Sequence, residues 1–194
     1  MRNNTMETRS NTMKTKRKII HLCAICLLFL TVDHSQALAQ REAAASHCAV
    51  DETLVFACPV DDQRLLSVCA SREYGPDSGY LQYRFGLADK AEIVVPAEKV
   101  KPSRAAQSGM WIFSGGGGAY LRFEEGGTSY HVYTAIGRWG NSGKTAERAG
   151  AWVEKDGKVL SDIRCKGPAT SELGPEFFEK AGLPEVESEF ELPE

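Results

Sequence analysis

Gly115, Gly116, Gly117 and Gly118 stand in a row between two strand-like segments, Met110-Trp111-Ile112-Phe113 and Ala119-Tyr120-Leu121-Arg122-Phe123. Glycine has no Cβ and loses more conformational entropy on ordering than any other residue. A stable domain gains from such a run only where the backbone turns sharply or another surface comes close to it. Ser114 and Tyr120 bracket the run with two hydroxyls. A bare backbone with polar groups at its base fits an anion cradle, a hairpin tip, or a finger that enters another protein's cleft. The rest of the chain discriminates among these.

The chain begins with the marks of an export signal. Lys14, Lys16, Arg17 and Lys18 precede the apolar run 19–32, and Ala37-Leu38-Ala39 offers a small-residue cleavage site. Cleavage is expected after Ala39, and Met13 is a candidate start just before the basic cluster. The apolar run is short for a membrane span, and Leu22 and Ile25 precede Cys23 and Cys26 where a lipid-attachment cysteine needs a small neighbour. These features predict a periplasmic or secreted protein with no membrane span in its mature form.

Export changes the charge. Residues 1–39 hold six of the 23 basic and two of the 26 acidic residues, so the mature chain carries 17 basic and 24 acidic side chains and a formal net charge of −7. An acidic chain without a basic stripe argues against nucleic acid as a partner. It favours a basic protein instead, because opposite net charge speeds encounter.

Four cysteines remain, Cys48, Cys58, Cys69 and Cys165, and an even number in an exported chain points to two disulfides. Three pairings are open. Cys58 and Cys69 lie in consecutive strand-like runs joined by Asp61-Asp62-Gln63, which favours a bridge within that hairpin and a second from Cys48 to Cys165. A metal site is disfavoured because there is no CxxC spacing and His47 and His131 are the only mature histidines. No cofactor is expected.

Alternation at period two dominates the mature chain. Leu81, Tyr83 and Phe85 share one face, as do Tyr130, Val132, Thr134 and Ile136. Residues 91–95 form a short apolar strand that Pro96 stops, and Asp156-Gly157 is a strong hairpin signal between 151–154 and 158–160. About eight short strands at turn-marked spacing predict an all-β antiparallel sandwich or barrel over residues 40–170. Residues 176–181 read as one or two helical turns. From Glu172 onward eight glutamates stand against the single Lys180, which predicts an acidic, mobile tail over 171–194.

Residues 137–145 resemble a phosphate-binding loop but miss its spacing, since Arg138 stands where the first glycine belongs. No Gly-x-Ser-x-Gly elbow occurs. His131 reads as an ordinary surface or half-buried strand residue, and no carboxylate pair stands out for sugar hydrolysis. The reading is therefore of a non-enzyme.

The succession Phe56-Ala57-Cys58, Leu66-Ser67-Val68-Cys69-Ala70-Ser71, Tyr80-Leu81-Gln82-Tyr83-Arg84-Phe85-Gly86, then 114–123 and Tyr133-Thr134-Ala135-Ile136-Gly137, resembles the periplasmic inhibitors of invertebrate-type lysozyme. The similarity spans residues 53–165. It implies an exported all-β sandwich, often a homodimer, that blocks a lysozyme by inserting a loop into its cleft. By this resemblance Ser114 and Tyr120 map to the hydroxyl pair of the inhibitory loop, Gly115 to Gly118 to its backbone, and Arg138 to a supporting basic residue. The chain departs from a compact Ser-Gly-x-x-Tyr arrangement, with five residues between Ser114 and Tyr120. On this reading Tyr120 is a surface residue whose loss costs binding rather than stability.

A lysozyme cleft holds a polysaccharide over two carboxyl groups, so a plug should carry hydroxyl and N–H donors on a slim backbone. Arg138 would supply a fork of donors to an acidic cleft residue. Two alternatives stay open. One is an immunity protein against a cell-wall-degrading toxin. The other is an exported glycan-binding or enzymatic β-domain using the aromatic surface around Tyr120 and Trp139.

Overall fold

A computed structural model describes residues 45–113, 115–139 and 143–186. The export signal, Ser114 and the last eight residues lie outside the described residues. In chain order the elements are β1 (Glu52–Pro59), β2 (Arg64–Ser71), β3 (Leu81–Leu87), β4 (Lys90–Val95), α1 (Pro102–Ala105), β5 (Ala106–Phe113), β6 (Gly116–Glu125), β7 (Thr128–Arg138), β8 (Thr145–Lys155), β9 (Lys158–Arg164), β10 (Thr170–Ser171) and α2 (Pro175–Ala181). The described strands thus number ten against the expected eight or so, the two-residue β10 among them.

The strands form two antiparallel sheets, the first in the order β10-β1-β2-β3-β4 and the second a meander in the order β5-β6-β7-β8-β9. The fold is an all-β sandwich. Its inner faces supply the core: Phe56, Leu66, Val68, Leu81, Tyr83 and Phe85 from the first sheet meet Leu121, Phe123, Val132 and Ala151 from the second. Period-two alternation dictates this, since a strand can bury only every other side chain against a facing sheet. Burying each large apolar side chain contributes about 1.5–3 kcal/mol. Between β8 and β9, Asp156 at φ 52° and Gly157 at φ 72° make the tight turn their sequence predicts.

The outer face of the first sheet carries a half-buried ion pair. Arg84 of β3 meets Glu52 of β1 through two bonds of 2.6 and 2.7 Å, and Tyr80 donates its hydroxyl to the same carboxylate at 2.6 Å. A further Arg84 bond reaches the His47 carbonyl at 2.8 Å. Burial would raise the Glu52 carboxyl, but Arg84, Tyr80 and the Ala49 N–H together lower it to about 2. The Tyr83-Arg84-Phe85 stretch is thus a structural unit, with two rings in the core and one cation fastening β3 to β1.

The disulfides correct the expected pairing: Cys48 bonds Cys69, and Cys58 bonds Cys165. Sheet register explains why. Cys58 pairs with Leu66 while Cys69 pairs with Leu54, so the two cysteines of the hairpin are offset along it. They also point to opposite faces. Cys58 joins Leu66 and Val68 in the core, whereas Cys69 faces outward and is capped by the N-terminal segment carrying Cys48, a gap of 5.3 Å between Cα atoms.

The expected tail is likewise corrected over its described part. β10 pairs with β1, and α2 buries Phe177, Phe178 and Ala181 in the core. These two phenylalanines outweigh the acidic composition around them. α2 begins at Pro175 and ends at Ala181, and Gly182 at φ 62° caps it.

Candidate functional site

The glycine run is not a loop. β5 and β6 pair from Ala106↔Phe123 to Phe113↔Gly116, so the ladder continues through Gly116, Gly117 and Gly118 and stops just short of Gly115. Gly115 takes φ 91° there, the left-handed region open to glycine. Gly116, Gly117 and Gly118 are strand residues, also paired or aligned with β7 through Gly117↔Ile136 and Gly118↔Ala135.

Their reason lies on the outer face of the second sheet. Phe113, Trp111 and Gly109 alternate along β5, and Gly116, Gly118 and Tyr120 alternate along β6, so that each aromatic ring stands opposite a glycine. The Trp111 indole lies over Gly118, where a Cβ would come within 2.6 Å of it. The Phe113 ring covers both Gly116 and Gly137 at comparable distances. Glycines here are seats for rings crossing from the neighbouring strand, an arrangement that recovers the packing a missing side chain forfeits.

Tyr120 therefore lies in the body of β6 at 2 % exposure, roughly 16 Å along the strand from Gly115 at 3.3 Å per residue. It packs with Tyr133, Trp152, Trp111 and Val186. The expected pairing of Ser114 and Tyr120 on one loop is corrected in its geometry: Tyr120 is a buried strand residue, and Ser114 lies outside the described residues. His131 joins the same face, stacked on Trp152 with centroids 4.2 Å apart. Among the described residues neither of its ring nitrogens has a hydrogen-bond partner. Burial, reinforced by the nearby Arg122, lowers its pKa to about 3 and keeps it neutral.

Two predicted residues do come together. The stem of Arg138, the last residue of β7, runs beside Gly115, its Cγ and Cδ 3.5 Å from where a Cβ of residue 115 would stand. Next to them Phe113 packs on Trp139 at 5.1 Å, the Trp139 indole N–H donates to the Ala146 carbonyl at 2.8 Å, and the Arg148 guanidinium lies 4.3 Å over the indole. The turn of β5–β6 and the end of β7 thus make one tip, with Arg138 exposed upon it.

Sequence reasoning missed the inner side of this tip. Here β5, β6 and β7 continue past the end of the core, so Met110, Ile112 and Ile136 occupy core-facing positions yet are 53, 91 and 52 % exposed. They line a groove of about 590 Å³ whose other wall is Pro168, Ala169, Leu173 and Pro175. Ile136 shares its face with Val132 as the alternation predicts, but alternation does not reveal where the opposing sheet stops.

Among the described residues, the metal-type donors that converge are those of Cys48, Glu52 and Cys69. Both sulfurs are bonded to each other and the carboxylate is engaged by Arg84 and Tyr80, so this is a structural cluster rather than a donor set. None of the family models, curated proteins or solved structures compared with the chain matches it.

Proposed function

We propose that this is an exported binding protein that inhibits a lysozyme-like glycoside hydrolase, presenting the tip of its second sheet to the active-site cleft. The observation that carries the reading is the tip itself: Gly115 at the end of the β5–β6 ladder with the Arg138 stem beside it, backed by the exposed side chains of Met110, Ile112 and Ile136. A slim tip with an arginine fork suits a cleft that holds two carboxyl groups. Arg138, Lys144 and Arg148 outnumber Glu147 at the β7–β8 end on an otherwise acidic chain, so steering by the whole protein and contact by the tip carry opposite signs. Two disulfides join described cysteines, which fits an oxidising compartment outside the cytoplasm. No helix among the described residues is long and apolar enough to cross a membrane.

The reading keeps the tip and drops Tyr120 as a contact. The mature protein immobilised on a surface and offered invertebrate-type, chicken-type and goose-type lysozymes is the test. Capture and inhibition of at least one class supports the proposal, and failure with all three removes it. Capture of peptidoglycan fragments without any lysozyme would favour the glycan-binding alternative instead.

A further inference from the structure

The second sheet carries its charge unevenly from end to end. Around the turns that join β6 to β7 and β8 to β9, Glu124, Glu125, Glu154 and Asp156 outnumber Arg122, Lys155 and Lys158. β7 runs eleven residues from there to Arg138, about 33 Å at 3.3 Å per residue, and the balance at its far end is reversed. Arg138 and Lys144 are exposed there and Arg148 is half-buried, with Glu147 as the carboxylate among them. Among the described residues neither arginine is paired with a carboxylate.

Exposed apolar side chains stand among these cations. Ile112, Gly117, Ile136 and Glu147 are in register across β5 to β8, a row about 14 Å wide at 4.8 Å per strand. Met110 belongs to the row behind it and Arg138, paired with Thr145, to the row in front. Exposed isoleucines gain from leaving water, but a purely apolar partner would strip the adjacent arginines of water with nothing in return. A bilayer interface meets both needs, since apolar groups enter it while long cationic side chains stay at the level of the phosphates. The other wall of the groove suits it less, because Glu176 follows Pro175 there.

We propose that the β5–β8 end of the second sheet docks on an anionic lipid bilayer, with Met110, Ile112 and Ile136 entering the interface and Arg138, Lys144 and Arg148 meeting lipid phosphates. Each basic residue at such a surface raises affinity about five-fold. The acidic end of the sheet lies well beyond the screening length of about 10 Å at 0.1 M salt, so the negative net charge of the chain does not prevent the contact. Three side chains and a small charge excess make the docking reversible. Lipid docking needs no enzyme and so stands apart from the inhibition proposed above.

Co-sedimentation of the mature protein with phosphatidylglycerol vesicles, set against phosphatidylcholine vesicles, tests it. Binding is expected with the anionic vesicles alone, falling at least about ten-fold as salt rises from about 0.05 to about 0.5 M. Ile112→Glu and Arg138→Glu should each weaken it at least about ten-fold, whereas Lys155→Glu, an equal charge reversal at the opposite end, should leave it unchanged. All three side chains are exposed, so melting temperatures should match the parent. Absence of binding to phosphatidylglycerol overturns the proposal, as does equal binding to both lipids. A loss for Lys155→Glu as large as that for Arg138→Glu also overturns it, because the contact would then not be made by the tip.

Discussion

The ring of Tyr120 lies so closely across Gly109 that a Cβ on residue 109 would stand 2.3 Å from two ring carbons. That contact turns a residue expected at a binding surface into a pillar of the outer aromatic face. Tyr120→Ala should therefore destabilise the fold by about 3 kcal/mol, the usual cost of truncating a buried aromatic. Gly118→Ala should also be destabilising, since its Cβ would meet the Thr134 carbonyl at 2.5 Å and the Trp111 ring. Gly174→Ala is the control, with open space around it. Chemical denaturation of the three variants checks the order, and a Tyr120→Ala protein as stable as the parent would refute the packing.

Acid should weaken the fold in two windows. The folded pKa of His131 lies at about 3, below its ordinary 6.5, so the unfolded chain binds a proton that the folded one refuses. Stability contributed by neutral His131 is present above pH 6.5 and is lost as pH falls from there toward 3. Glu52 acts lower, its contribution being present above its ordinary 4.5 and lost as pH falls toward 2. His131→Phe should flatten the stability profile between pH 6.5 and 4.5 and leave the steeper limb below it. Glu52→Gln should flatten that lower limb and cost about 1 kcal/mol at neutral pH, because Arg84 would lose its counter-ion at a half-buried site where solvent screens part of the charge. Denaturant titrations at half-unit pH steps measure both slopes.

The two disulfides should contribute unequally. Cys58–Cys165 spans 107 residues and Cys48–Cys69 spans 21. Loop-closure entropy then assigns about 5 kcal/mol to the first and about 3 kcal/mol to the second. Paired alanine replacements should lower the melting temperature in that order, and non-reducing peptide mapping should recover these two linkages and not Cys58–Cys69.

Much of the fold is written locally. Leu81, Tyr83 and Phe85 announce a core face, and Asp156-Gly157 announces a turn, because each depends on neighbours in the chain. The errors fall where meaning comes from across the sheet. Gly116 and Gly118 read as a loop until Phe113 and Trp111 are placed opposite them, although the paired alternation of Gly109, Trp111, Phe113 with Gly116, Gly118, Tyr120 was present as a signal. Cys58 and Cys69 look adjacent in a hairpin until register sends them to opposite faces. The groove at Met110, Ile112 and Ile136 depends on where the first sheet ends, which no segment of the second sheet encodes. The Gly115–Arg138 juxtaposition follows from two hairpins closing at the same end.

The most direct measurement is a titration of the mature protein and of its Ile112→Glu and Arg138→Glu variants against a lysozyme that it captures. Both side chains are exposed, so melting temperatures should match the parent. The account predicts parent-level inhibition weakened at least about ten-fold in each variant, the loss expected when a well-placed contact worth about 1.4 kcal/mol is removed. Variants that inhibit as strongly as the parent would contradict it and move the contact surface away from the tip.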